Sequence, residues 1–91
     1  MKTLTVRITG KVQGVGYRAW TEQAARARGL SGWVRNRRDG SVEALVSGAD
    51  DKVDEMLAYF WQGPTAALVE RVTSEPASHP MQLGFRTLPT A

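Results

Sequence analysis

Leu4, Val6 and Ile8 alternate with Thr5, Arg7 and Thr9. That two-residue period predicts a half-buried strand. Gly10 to Gly16 is rich in turn formers, and a helix is expected from Tyr17 to about Arg28. That helix places Trp20, Ala24 and Ala27 on one face, and Gly29 stands where a helix end favours a left-handed residue. Trp33 to Arg37 reads as a second strand, Arg38-Asp39-Gly40 as a hairpin turn and Val42 to Val46 as a third strand, closed by Gly48. The Asp-Gly pair supplies the positive φ angles of a tight turn. Asp50, Asp51 and Asp54 open a second helix, where carboxylates favour the positive end of the dipole. Val53, Met56, Leu57 and Phe60 then fall at i, i+3, i+4 and i+7, a core-facing stripe that Gly63-Pro64 ends. A fourth strand fits Ala67 to Ser74, and a short final one fits Leu83 to Leu88.

The order is β-α-β-β-α-β plus a terminal strand. This predicts an α+β fold, a ferredoxin-like α/β sandwich in which two helices cover one face of an antiparallel sheet. Trp20 and Trp61 are expected to pack on helices, and Trp33 to be partly buried beside Leu45. The fold hosts unrelated activities, so function has to be argued from a site.

Ninety-one residues suit a single domain, taken as 1–91, with 42% hydrophobic and 23% charged residues, the balance of an ordinary soluble globule. There is no cysteine, which excludes thiol catalysis, thiolate zinc and disulfide scaffolds and is comfortable in a reducing compartment. The first residues carry no apolar run of signal-peptide length, and no stretch is long enough to cross a bilayer. A cytoplasmic protein that does not engage membranes is the expectation. Charge is lopsided: residues 1–38 hold nine Lys/Arg against one Glu, and residues 39–91 hold three against eight Asp/Glu. The basic half suits an anionic partner, a small phosphate compound or a nucleic acid, and equally suits a solvated surface.

The segment Gly10-Lys11-Val12-Gln13-Gly14-Val15-Gly16-Tyr17-Arg18 lies between a strand and a helix. Glycines there let backbone N–H groups converge on one anion, the helix start adds free donors, and Arg18 can grip two phosphate oxygens. No Gly-Lys-Ser/Thr follows, so it is no Walker loop, and with Ala19 at the third position and the wrong strand order it is no complete dinucleotide fingerprint. Taken alone, the segment favours a tight βα turn with a surface arginine.

It does not stand alone. Gly32-Trp33-Val34-Arg35-Asn36 follows, with Gly40, Val42 and Gly48 behind it, Gly29-Leu30 ahead of it and Gly63-Pro64 further on. Together with Ile8-x-Gly10-x-Val12-Gln13-Gly14-Val15-x-Tyr17-Arg18, these segments resemble the two signatures of the acylphosphatase family. Tyr17 stands where Phe is commoner, Lys11 where Arg is, and the tail after Ser78 matches loosely. The resemblance implies hydrolysis of acyl phosphates to a carboxylate and inorganic phosphate, the latter a product and inhibitor. It implies that Arg18 binds the phosphoryl group and that the amides of Gln13, Gly14, Val15, Gly16, Tyr17 and Arg18 complete its site. It further implies that Asn36 orients the attacking water, with no metal and no cofactor.

The chemistry is consistent with so few groups, because a carboxylate leaves without a general acid and phosphoryl transfer needs mainly positioning and electrostatics. His79 reads as a plain loop residue, and Asp50, Asp51 and Asp54 as helix-start charges rather than a metal cluster. Ser41 and Thr21 have no evident base to activate them. Arg35, Arg37 and Arg38 read as a solvated face that can also steer anions toward Arg18. Asn36, apart from the resemblance, reads as a strand-end residue bonding its own backbone. Two rivals stay open. One is a non-catalytic or carbamoyl-phosphate-handling domain of a larger maturation protein, disfavoured by the end at Ala91. The other is an RNA-binding module, disfavoured by the absence of aromatics on the third strand. A monomer that binds no nucleic acid is expected.

Overall fold

The computed structural model describes residues 1–80 and 82–91. Its elements run β1 (Lys2–Lys11), α1 (Tyr17–Ala27), β2 (Ser31–Asn36), β3 (Val42–Gly48), α2 (Asp50–Phe60), β4 (Leu68–Pro76) and β5 (Phe85–Thr87). The strands form one sheet in the order β4-β1-β3-β2-β5. The first four are antiparallel neighbours, as expected of a ferredoxin-like α+β fold, but β5 lies parallel to β2 at the edge.

Alternation decides the faces. Val6 and Ile8 on β1, Val34 on β2 and Val42, Ala44 and Val46 on β3 are fully buried, and their register brings them together. Val53, Met56 and Phe60 of α2 are buried with them, and Leu57 packs at the edge of that core. The opposite face carries Thr5, Arg7, Trp33, Arg35, Glu43 and Leu45. Trp33 is half-buried and sits across from Leu45 as expected.

Helix α1 ends where Gly29 predicts. Gly29 N–H bonds Arg26 O and Leu30 N–H bonds Ala25 O, with Gly29 at φ 68°, the left-handed close that glycine adopts without penalty. Its buried stripe is Tyr17, Thr21, Ala24 and Ala25; Ala27 is exposed, a correction to the face read from alanine spacing. Trp20 packs against the core and stacks on Tyr59, ring centroids 4.4 Å apart. Trp61 does not pack as expected: α2 stops at Phe60, and Trp61 stays 52% exposed.

Three further differences have local causes. Strand β1 continues through Gly10, where φ is 121° and an added Cβ would stand 2.2 Å from Leu68 O, so the backbone of β4 approaches too closely for any side chain. The hairpin uses one positive φ, at Gly40, while Asp39 serves through its side chain: Oδ1 accepts from Ser41 N–H at 2.9 Å and Ser41 Oγ at 2.6 Å. Ser41 therefore does have a carboxylate beside it, but as a turn closure, and its two bonds hold the Asp39 carboxyl below its ordinary value. Asp50 and Asp51 occupy the first turn of α2, and Asp54 pairs with Lys2 at 2.7 Å. His79 lies in a loop, where Nδ1 meets Thr3 Oγ1 and, at 3.2 Å, Ser47 Oγ, closing the far end of the sheet. Among the described residues, no helix is long and apolar enough to cross a membrane.

Candidate active site

The loop after β1 and the end of β2 meet at one edge of the helix-covered face. Gly16 caps α1 in the left-handed region, φ 81°, with no side-chain cap and no acidic residue in the first turn. The N–H groups of that turn are therefore uncompensated by the protein's own side chains. In the loop itself, no turn or cap hydrogen bond takes up the N–H of residues 13–16 among the described residues. An added Cβ at Gly14 or Gly16 would meet nothing within 4 Å, so the space over these amides is open.

A cleft of about 280 Å³ lies there, lined by Val12, Gly14, Gly16, Tyr17, Arg18, Ala19, Glu22, Asn36 and Thr87. Arg18 is half-buried and, among the described residues, in no ion pair. Arg7, Arg26, Arg28, Arg35 and Arg37 all have carboxylate partners. A free guanidinium beside free amide donors makes a concentrated anion site.

Asn36 is the polar end of an apolar series. Gly32, Val34 and Asn36 all point inward on β2, and Asn36 sits opposite Val42. Its side chain is thus turned toward α1 and is only 9% exposed. Its backbone carbonyl accepts from Ala91 N–H at 3.0 Å, and the residue lines the cleft. The carboxamide can donate and accept at once.

The other loop residues divide. Gly14, Gly16, Tyr17, Arg18 and Asn36 share the cleft, whereas Gln13 and Val15 do not line it. Val15 packs on the core. Gln13 turns to the β2–β3 hairpin, where Nε2 donates to Arg37 O at 2.7 Å and Ser41 O at 2.8 Å. The Tyr17 hydroxyl donates to Phe60 O at 2.6 Å, and burial pushes the phenol well above its ordinary value.

The whole chain is similar to proteins whose names share one word. The acylphosphatase family model matches residues 4–87. The chain belongs to the acylphosphatase family. It is 51% identical over 90 residues to the acylphosphatase of Rhodospirillum rubrum, covering 99% of each chain. It is 61% identical over 74 residues to that of Bradyrhizobium diazoefficiens, covering 81% of this chain and 75% of the other. Its fold superposes on the acylphosphatase of Bacillus subtilis with a TM-score of 0.93 at 29% identity, covering 97% and 99% of the two chains. The family's fold and the reading from alternation therefore agree.

Two cleft residues escaped the sequence reading. Glu22 lies one helical turn beyond Arg18 and so shares its face, a relation the i, i+4 spacing carries. Arg26 holds it at 3.3 Å and is itself anchored to Phe85 O. Thr87 reaches the cleft because β5 pairs with β2, Val34 opposite Thr87, and no local pattern announces that pairing.

Proposed function

We propose that this chain hydrolyses small acyl phosphates, with Arg18 and the amides of residues 13–18 holding the phosphoryl group and Asn36 orienting the water. What supports the reading is one cleft that joins a guanidinium with no counter-ion among the described residues, a fan of free N–H groups at a helix start and an inward carboxamide. The transferring phosphoryl group gathers charge on its equatorial oxygens, and fixed donors oppose that charge without reorganising. Helix α1 adds the positive end of its dipole.

The reaction balances with these groups alone. Water oxygen bonds to phosphorus as the bond from phosphorus to the acyl oxygen breaks. The carboxylate departs with the electron pair, and one water proton passes to a phosphoryl oxygen, giving dihydrogen phosphate. The amide of Asn36 is too weak a base to take that proton, so it aligns the water and the substrate accepts the proton. Inorganic phosphate occupies the same donors as a competitive inhibitor. The accompanying expectations are a monomer working in the cytoplasm on a small molecule, without cofactor or metal.

The test is hydrolysis of benzoyl phosphate in the presence of a chelator by the wild type, Arg18→Gln and Asn36→Ala. An active wild type and losses in both variants are expected. An inactive wild type would sink the function; full activity in either variant would sink that residue's role. Activity lost on chelation would contradict the mechanism.

A further inference from the structure

Gln13 belongs to the phosphate loop by sequence, yet its side chain leaves that loop for the β2–β3 hairpin. Both hydrogens of its amide nitrogen are committed there, to Arg37 O and to Ser41 O. Two carbonyls can only accept, so they fix which end of the amide faces them. Arg37 directly follows Asn36. The carboxamide thus links the segment that carries the loop amides and Arg18 to the segment that carries Asn36.

The hairpin does not need this link to close. Ser41 O already accepts from Arg37 N–H at 2.8 Å, and Arg37 O accepts from Gly40 N–H at 3.1 Å. Gln13 supplies each carbonyl with a second donor. Removing it orphans no buried carbonyl, so the hairpin keeps its bonds while its tie to the loop is lost.

We propose that Gln13 is a positioning residue for catalysis: its side chain sets the distance between the phosphate cradle and Asn36. This rests on the function proposed above and on the role of Asn36 in it. The cradle holds its anion through its own amides and Arg18, so the strut governs how well the held phosphorus meets the oriented water. Reacting atoms displaced by an ångström cost large factors in rate with little change in binding.

Benzoyl phosphate hydrolysis and inhibition by inorganic phosphate measure the two effects separately in Gln13→Met, which keeps length and removes both donors. A kcat about tenfold or more lower is expected, with the inhibition constant for phosphate changed less than about threefold. In an Asn36→Ala background the same substitution should cost less than about twofold, since the group it positions is gone. An unchanged kcat would overturn the strut, as would full additivity with Asn36→Ala. So would a parallel loss of phosphate inhibition, which would place the Gln13 side chain in the cradle itself. Gln13→Glu is the second variant. It keeps the shape but can donate only when protonated, and then through a single O–H to one of the two carbonyls. Its activity relative to wild type should therefore recover in part as pH falls from neutral toward about 4, because the two carbonyls it faces disfavour the charged carboxylate. A flat ratio across that range would likewise overturn the proposal. An inactive wild type would overturn the function and the strut together; an active wild type with an indifferent Gln13 overturns the strut alone.

Discussion

The arginines of the open sheet face and the arginine of the cleft differ above all in what surrounds them. On the open face of the sheet, Arg35 and Arg37 both reach Glu43 Oε1, at 2.8 and 2.9 Å, and Arg7 lies between Glu43 and Asp39. Arg35 also covers the Trp33 ring at 4.7 Å. This is the denser basic patch in the sequence, and its charge is spent on the protein. At the helix-covered edge a single arginine, Arg18, has no such partner among the described residues and shares its cleft with open amides. A site for an anion is made by donors left without acceptors, so counting positive residues points away from the cleft. Of the run expected to steer anions, Arg38 alone has no carboxylate partner among the described residues.

Breaking each setting should have unlike consequences. Arg18→Gln is expected to lower kcat/KM for benzoyl phosphate about a thousandfold, the scale of losing a charged contact to the transition state. Arg35→Ala should leave kcat/KM within about threefold. A large loss in Arg35→Ala would mean that the open face takes part in the reaction. The same contrast holds for glycine. Gly32→Ala would put a Cβ 1.8 Å from Leu45 O at φ 136°, forcing β2 from β3, and should cost about 3 kcal/mol by denaturant titration. Gly16→Ala meets empty space and only a left-handed φ, so about 1 kcal/mol is expected. Equal losses in the two would show that backbone strain, and not crowding, limits both.

Local patterns carried much of this. The β1 alternation, the α2 stripe of Val53, Met56 and Phe60, and the left-handed Gly29 are each set by neighbours in sequence, and each appears where the pattern puts it. The parallel pairing of β5 was not legible, because three residues that satisfy a distant strand leave no period to read. Trp61 is exposed against the helical pattern because one residue at a helix end decides between core and solvent. Within the cleft, Arg18 and Asn36 stood out only together. A signal for Asn36 was available without the family: it shares inward parity with Val34, and an amide in an apolar register needs a reason. Gln13 carried no such mark, since its partners are backbone carbonyls far along the chain.

The cluster on the open face should reveal itself through acid. Burial opposes the charge of Glu43, but hydrogen bonds from Arg35 and Arg37, with their charges, outweigh it and hold the carboxyl below its ordinary 4.5. A folded-state value below the unfolded one stabilises above pH 4.5, and that contribution is lost as pH falls through the folded value. Glu43→Gln should therefore be about 2 kcal/mol less stable than wild type at pH 7, the scale of hydrogen bonds to a charged group. The gap should narrow steadily in melts taken below pH 4.5. A gap that is the same at pH 3 as at pH 7 would show that the loss comes from packing rather than ionisation.

Tyr17 is the smallest test, and it separates the cleft from its support. Tyr17 lines the cleft, but its hydroxyl donates to Phe60 O, one of the last carbonyls of α2, which have no partner within the helix. Tyr17→Phe removes that donor and should cost about 1 kcal/mol, near 5 °C in a chain of this size. Burial raises the phenol above its ordinary 10, so its stabilising effect is complete below pH 10 and fades as pH rises past it. The melting difference between Tyr17→Phe and wild type should accordingly shrink above pH 10. Turnover should stay within about twofold, because the hydroxyl faces α2 and the buried ring is kept. A loss of turnover beyond tenfold at unchanged stability would assign the phenol to the reaction. The cleft would then depend on a group already bonded within the protein, and the contrast between committed and uncommitted donors would fail.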